Sequence, residues 1–279
     1  MRYIALALLL AGAAQAFAWD HDANVDPANP DTWPVIAIVI DDLGNTRDVG
    51  ERTLALPGPV ACSILPHSPF AAEFSRTAHQ RGKEVMLHQP MQATTSNHLL
   101  GPGALTTALS EEQVRERVYA NLGSLRHVTG VNNHMGSKLT RHTRAMVWLM
   151  RALRDREEPL FFVDSLTTGA SVAGAVADVA RLKNARRDVF LDNLQTPRHV
   201  LERLNALKKR ARNKGFALGI GHPYPVTLDV LEQALPDLAA NGYRLVSVRE
   251  MMQIRDERAS APLSVAGAGT SPPNTFRQK

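Results

Sequence analysis

VIAIVIDDLG (residues 35–44) joins six apolar residues directly to two adjacent carboxylates, Asp41 and Asp42, and ends in a glycine. An apolar run of this length is typical of a strand that is covered on both faces. The two carboxylates repel each other when both are ionised. A cation between them would offset this repulsion, so their position at the end of the strand predicts a cation-binding site.

The rest of the chain alternates short apolar runs with longer segments that have helical spacing. The further runs are ACSIL, EVMLH, GVNNHM, LFFVD, VFLD, FALGIGH and YRLVSV. This alternation predicts an α/β fold in which crossover helices join parallel strands, as either an open doubly wound sheet or a barrel. No glycine-rich phosphate loop follows the first strand, which disfavours the nucleotide-binding open sheet. We predict a distorted or incomplete parallel (β/α) barrel of seven to eight strands.

The chain divides into four predicted segments. Residues 1–18, MRYIALALLLAGAAQAFA, have the charge, apolar run and small residues of a signal peptide, with an uncleaved anchor as the alternative. We interpret residues 19–33 as a linker, residues 34–256 as the barrel domain and residues 257–279 as a disordered tail. We expect a periplasmic or secreted protein with no membrane span after cleavage.

Composition excludes several classes of function. The formal net charge is +5 and aromatic residues make up 5% of the chain, so nothing indicates a nucleic-acid partner. The basic clusters have helical spacing with leucines on the opposite face, which is typical of solvated helices. The only cysteine, Cys62, leaves no internal disulfide, and the absence of a G-x-S-x-G sequence disfavours a serine hydrolase.

Acidic residues and histidines recur where the apolar runs end. They are Asp41, Asp42, His67, His88, His134, Asp164, Asp192 and His222. Each of these side chains could instead cap a helix or form hydrogen bonds with the backbone of a loop. In parallel α/β folds, however, the carboxyl ends of the strands converge on one mouth where ligands bind. Together these residues are candidate ligands for a metal ion.

Two imidazoles and one carboxylate form a common metal site that leaves positions open for water or substrate. His88, His134 and Asp42 supply this set, and the expected cofactor is a divalent metal ion, zinc in the first instance. Neighbouring side chains diverge at a twisted strand end. Asp41 is therefore placed to take a proton from metal-bound water as a general base.

Six ordered blocks, IAIVIDDLG, EVMLHQPM, GVNNHMGSKLT, FFVDSLTT, VFLDN and GIGHPYP, resemble the divergent polysaccharide deacetylases. These are relatives of the chitooligosaccharide and peptidoglycan deacetylases. The resemblance covers residues 34–254 and implies an incomplete (β/α) barrel. It also implies that Asp41 is the catalytic base and that Asp42, His88 and His134 bind the metal.

The resemblance further implies that His222, in GHPYP, is the general acid and that Asp164 orients it. Asp192, Ser137 and Tyr224 are substrate-binding candidates at the same mouth, and Ser165 or the amides of NHMGS could support an oxyanion. In the better-studied deacetylases both metal histidines lie in one short motif, whereas here they are 46 positions apart.

These features predict a metal-dependent hydrolase of the cell envelope that removes acetyl groups from an N-acetylated carbohydrate or peptidoglycan-like substrate. Two alternatives remain open at this point. One is a metal-dependent hydrolase of an ester or phosphoester. The other is a non-catalytic, metal-containing envelope module that keeps the barrel and binds glycan or protein.

Overall fold

A computed structural model describes residues 26 and 28–260. The predicted signal peptide, most of the predicted linker and residues 261–279 of the predicted tail lie outside the described residues. The strands are β1 (Val35–Leu43), β2 (Ala61–Ile64), β3 (Val85–Met91), β4 (Val128–Met135), β5 (Phe161–Asp164), β6 (Asn184–Arg186), β7 (Val189–Phe190), β8 (Phe216–Gly221) and β9 (Arg244–Leu245). All of their pairings are parallel, in the order β6-β5-β4-β3-β2-β1-β8-β7, and β9 pairs with the start of β1.

The helices cover the outside of this sheet or close one of its ends. They are α1 (Arg47–Ala55), α2 (Ala71–Gln80), α3 (Glu111–Gly123), α4 (Thr143–Arg154), α5 (Ala173–Val179), α6 (Pro197–Lys214), α7 (Pro225–Ala234) and α8 (Val248–Ser260). Their ends follow the local sequence. Ser110 and Gln113 form a capping box at the start of α3, and Gly215 ends α6 with φ 81°.

The sheet curls into a nearly closed barrel. Strand β6 pairs with β5 and strand β7 pairs with β8, yet only Arg187 and Asp188 separate β6 from β7. The three residue steps from Arg186 to Val189 span at most about 11 Å. The two edges of the sheet therefore lie close together, and one extended segment passes from one edge to the other. The predicted incomplete (β/α) barrel is confirmed, with eight strands in the sheet path and β9 in addition.

Strand alternation separates an inner core from an outer one. Ile36 and Ile38 of β1 belong to the outer core beneath the helices, whereas Val35, Ala37 and Val39 belong to the inner core. Helix α8 closes the amino end of the barrel with its own inner-core residues, Val248, Met251 and Met252. The barrel interior is thus filled with apolar side chains at this end.

The predicted boundary at residue 256 is wrong by four residues. Helix α8 continues to Ser260 because its last turn is fixed by hydrogen bonds. The Arg258 guanidinium donates to the backbone oxygens of Gly215, at 2.7 Å, and of Asp31 and Trp33, each at 3.1 Å. Among the described residues, no helix has the length and apolarity that a membrane crossing requires.

Candidate metal centre

The inner face of the barrel changes from apolar to polar at its carboxyl end. Val39 is the last apolar inner residue of β1, and the next inner position is Asp41. The same two-residue alternation applies to the other strands because successive side chains of a strand face opposite sides. The polar residues at these positions are Asp41, Ser63, His88, Asn132, His134, Ser165, Asp192 and His222. Most of the predicted site residues therefore reach one mouth.

A local bulge brings Asp42 to the mouth beside Asp41. A regular strand would turn Asp42 outward, since adjacent residues face opposite sides. Instead, the register between β1 and β2 shifts between Ile40 and Leu43, and Asp42 has a left-handed backbone with φ 58°. Aspartate tolerates this conformation better than most residues. The bulge, rather than the twist of a regular strand, places both carboxylates at the site.

Asp42, His88 and His134 present three ligand atoms to one point. Asp42 Oδ1 lies 2.9 Å from His134 Nδ1 and 3.1 Å from His88 Nε2, and the two nitrogens are 3.2 Å apart. Ligands bound to zinc at about 2.0–2.1 Å with tetrahedral angles lie about 3.3 Å from one another. Among the described residues, this is the only group of three His, Cys, Asp or Glu side chains close enough to share an ion.

The hydrogen bonding of Asp42 also fits a cation. Asp42 Oδ1 is buried and accepts no well-aligned hydrogen bond, although two imidazole nitrogens face it. Buried carboxylate oxygens normally have a partner, so an unpartnered one requires an explanation. Two neutral imidazole nitrogens and a carboxylate oxygen are suitable ligands for a divalent transition metal. The site therefore fits the predicted metal.

The pKa values at the site show how strongly the cluster favours positive charge. Burial raises the pKa of the Asp42 carboxyl, but the adjacent imidazoles of His134 and His88 lower it well below its usual range. Burial lowers the pKa of His88, but Asp41 and Asp42 raise it to about 9. Without a metal, a proton on His88 provides the positive charge, and a bound divalent cation would replace that proton.

Asp41 lies against the far side of His88. Its Oδ1 accepts a hydrogen bond from Asn132 Nδ2 at 2.7 Å and is 3.6 Å from His88 Nδ1. The carboxylate is only 3% exposed. Within the described residues no hydrogen bond reaches its second oxygen, Oδ2.

His222 follows β8 and lies beside the metal ligand Asp42. Its Nδ1 is 3.0 Å from Asp192 Oδ1, and its Nε2 is 3.8 Å from Asp42 Oδ2. Burial lowers the pKa of the imidazole, but the hydrogen bond to Asp192 and the charges of Asp41 and Asp42 raise it overall. His222 thus directs Nε2, the ring nitrogen that Asp192 does not hold, towards Asp42 and the mouth.

Two sequence assignments need correction. Asp164 does not orient His222, because its side chain lies on the outward-facing side of β5 and its Oδ1 accepts from the Leu166 amide at 2.9 Å. Asp192 orients His222 because β7 pairs directly with β8. Asp192 is also not a substrate ligand, since its Oδ2 accepts from the His222 amide at 2.6 Å and from Thr227 Oγ1 at 2.9 Å.

The remaining candidates have different surroundings. Ser137 joins the loops after β3 and β4, because its Oγ contacts the Thr94 amide at 3.0 Å and the Thr94 hydroxyl at 3.2 Å. The Ser165 amide donates to Asn133 Oδ1 at 2.8 Å, so it cannot support an oxyanion. The ring of Tyr224 is half-buried and lies 5.6 Å from the His222 ring. Tyr224 therefore stays a substrate-binding candidate.

Sequence reasoning missed Asn132 and Arg187. Asn132 lies two residues before His134 in NNH, so strand alternation alone places it on the same face. Arg187 donates to the backbone oxygens of Ser165 and Leu166, at 2.7 and 2.9 Å. Burial lowers the pKa of its guanidinium, while Asp164 and Asp41 act in the opposite direction. No pattern around Arg187 in the sequence marks it.

Comparisons with known proteins show which family and which fold the chain matches. Residues 38–252 match the family described as divergent polysaccharide deacetylase. A protein of Haemophilus influenzae is 36% identical over 203 residues, which cover 73% of this chain and 71% of that protein. The protein YibQ of Escherichia coli is 33% identical over 242 residues, which cover 87% and 74%. The crystal structure of ATU2773 from Agrobacterium tumefaciens has the same fold, with a TM-score of 0.75 and 21% identity, over 78% of this chain and 89% of that one.

Proposed function

The chain belongs to the divergent polysaccharide deacetylase family, and on this premise we propose that it is a metal-dependent hydrolase of the cell envelope. The proposed reaction removes acetyl groups from an N-acetylated carbohydrate or peptidoglycan-like substrate. The observation that carries the proposal is the triangle of Asp42, His88 and His134, with the Asp41 carboxylate beside His88 and the His222 imidazole beside Asp42. We also propose that the protein is exported to the periplasm or secreted, and that the bound ion is zinc.

The residues of this chain divide the work of amide hydrolysis. A divalent ion held by Asp42, His88 and His134 supplies Lewis acidity and lowers the pKa of water when it is bound. Asp41 Oδ2 accepts the proton of the attacking water. His222 Nε2 donates a proton to the departing amine, and Asp192 holds the imidazole in the orientation that this requires. A positioned base contributes about 10² to 10⁴ in rate.

The charges at the mouth suit an uncharged substrate with an amide. The Asp41 and Asp42 carboxylates together balance the charge of a divalent ion, so little net charge remains to attract an anionic group, and an acetamide brings only a carbonyl oxygen and an N–H. Tyr224 lies beside His222 and offers an aromatic face of the kind on which a sugar ring packs. These features support an acetylated sugar over a phosphoester.

Metal analysis of the purified chain, together with acetate release from N-acetylated chitooligosaccharides and peptidoglycan fragments, tests the proposal. We expect about one divalent ion per chain. Asp42→Ala and His134→Ala should both lose the ion and the activity, whereas His79→Ala, on an exposed surface, should keep both. Equal metal content in all four proteins would contradict the site. Metal binding without acetate release from any of these substrates would instead identify a metal-containing binding module.

A further inference from the structure

Asn132 uses its whole hydrogen-bonding capacity inside the barrel. It is fully buried. Its Oδ1 accepts from Ser63 Oγ at 2.6 Å and faces His88 Nδ1 at 2.8 Å. Its Nδ2 donates to Asp41 Oδ1 at 2.7 Å and to Ser165 Oγ at 3.2 Å. A side-chain amide has two donors and an acceptor with two lone pairs, so all four positions are occupied.

The partners of Asn132 determine which way its amide faces. An ionised Asp41 carboxylate can only accept, so the NH₂ group must face it. The opposite orientation would place two oxygens 2.7 Å apart. Once the NH₂ group faces Asp41, the carbonyl oxygen faces His88 Nδ1, which must then carry a proton. In the neutral imidazole, which is the form that binds a metal, the lone pair of His88 is then on Nε2, the nitrogen that faces Asp42 and His134.

Asp41 does not perform this task directly. Its distance of 3.6 Å to His88 Nδ1 is too long for a hydrogen bond. A carboxylate at position 132 could accept from His88, but it could not donate to Asp41. It would also add a third buried negative charge beside Asp41 and Asp42. Only an amide meets both requirements.

We propose that Asn132 is a positioning residue that fixes the metal-binding tautomer of His88 and the orientation of Asp41 through one side-chain amide. The inference rests on the proposed metal-dependent function. It assigns the metal ligand and the base to one hydrogen-bonded unit. Changing Asn132 should therefore alter metal binding even though the residue does not touch the metal.

Asn133 is a matched control. It is the next residue, is 1% exposed, and has the same side chain on the opposite face of β4. Its Nδ2 donates to the Met135 carbonyl at 2.7 Å, and its Oδ1 accepts from the Ser165 amide. It bonds only to backbone groups, and although one of these belongs to Ser165, neither is part of Asp41 or His88. A similar substitution there therefore tests the loss of a buried amide without removing a hydrogen bond of the metal ligand or the base.

The first experiment measures zinc affinity by chelator competition for the full chain and for Asn132→Leu, Asn132→Asp and Asn133→Leu. Loss of an outer hydrogen bond to a ligating histidine weakens metal binding by about 10- to 100-fold, which we expect for Asn132→Leu. Asn133→Leu should bind as the wild type does. Asn132→Asp keeps an acceptor for His88, so it should bind zinc more tightly than Asn132→Leu and still lose acetate release. Equal zinc affinities for Asn132→Leu and Asn133→Leu would overturn the proposal.

The second experiment uses only the wild-type protein, so its result does not depend on whether a variant folds. A long-range ¹H–¹⁵N spectrum of the zinc-loaded wild type should show His88 bound through Nε2 with a protonated Nδ1, and His134 bound through Nδ1. Coordination of His88 through Nδ1 would overturn the proposal. The zinc affinities and the spectrum are both measured without substrate, whereas acetate release is measured separately. Zinc binding with this tautomer but without acetate release would refute only the deacetylase function, and acetate release with unaltered zinc affinity in Asn132→Leu would refute only the role of Asn132.

Discussion

The two ends of the barrel interior use the same strands and the same alternation, but they differ in chemistry and in backbone. At the amino end, Val35 and Ala37 pack against the apolar face of α8. At the carboxyl end, the inner positions of the same sheet are occupied by polar residues such as Asp41 and His88. Asp41 is two residues beyond Val39, a step of about 6.6 Å along the strand. A stable core and a polar site are thus built one pleat apart on the same strands.

The backbone of the mouth is more strained than that of regular strands. Four residues other than glycine have left-handed backbones at or just after strands of the mouth: Asp42, His67, Met135 and Leu166. For a leucine this conformation costs about 1–2 kcal/mol. Leu166 is held there because its amide donates to Asp164 and its carbonyl accepts from Arg187. Asp164 and Arg187 therefore stabilise the shape of the mouth.

The substitution Asp41→Asn, at the carboxyl end of the barrel, is expected to have the largest effect. It should lower turnover without lowering stability. The substitution removes the base and keeps the size of the side chain, so turnover should fall by about 10² to 10⁴. This corresponds to about 2.7–5.5 kcal/mol in the activation barrier. Metal content and thermal unfolding should stay close to those of the wild type. The exposed Asp48→Asn serves as the control, and acetate release at the wild-type rate by Asp41→Asn would place the base elsewhere.

Most of the metal site could be predicted because two rules that apply directly to the sequence determine where its residues lie. Residues that end apolar runs lie at the carboxyl end of a parallel sheet, and residues two apart share a face. These rules bring His88 and His134 together although they are 46 positions apart. They also point to Asn132, which a stricter use of the alternation would have found.

The sequence predictions were wrong where the position of a side chain depends on which strands pair or on the local backbone conformation. Asp164 and Asp192 both end short apolar runs, and only the order of strands shows that β7, rather than β5, lies beside the strand of His222. The bulge at Asp42 has no signature in the sequence, since aspartate also occupies regular strand ends. The end of α8 depends on the contact of Arg258 with Gly215, 43 residues away.

Met251→Ala, at the amino end, should lower the free energy of unfolding by about as much as Asp41→Asn raises the activation barrier. It should not change the rate of the reaction. Met251 is 1% exposed and lies in the inner core. Truncation of a buried methionine to alanine lowers the free energy of unfolding by about 2–5 kcal/mol. Chemical denaturation measures this loss, with the exposed Gln253→Ala as the control. Zinc affinity of the folded variant should be unchanged, and a parallel loss of zinc binding would show that the two ends are not independent.

Asp192→Asn should change the pH dependence of the reaction more than its maximum rate. Asp192 raises the pKa of His222, which must be protonated to donate to the departing amine. Activity is therefore lost as pH rises through that pKa, and removing the charge should move this basic limb to lower pH. We expect a fall in turnover of about tenfold at the pH of the wild-type basic limb.

Asp164→Asn provides the matched control for this shift. Both carboxylates are 2% exposed and both end strands at the mouth. Only Asp192 contacts His222, so the pH profile should keep its basic limb in Asp164→Asn. A shift in Asp164→Asn without one in Asp192→Asn would restore the assignment made from the sequence.

The smallest effect is expected at the amino end, from Glu84→Gln. The Glu84 carboxylate accepts hydrogen bonds from the Val248 and Arg249 amides and so caps the first turn of α8. Burial raises its pKa even though these amide hydrogen bonds act to lower it. The stability linked to this shift is present at low pH and is lost as pH rises through the raised pKa. Glutamine keeps one acceptor and removes the buried charge, so the free energy of unfolding at neutral pH should change by less than about 1 kcal/mol. Glu84→Ala, which leaves both amides unpaired, should lose more, and an equal loss in the two variants would show that the charge, rather than the hydrogen bonds, holds α8 against the barrel.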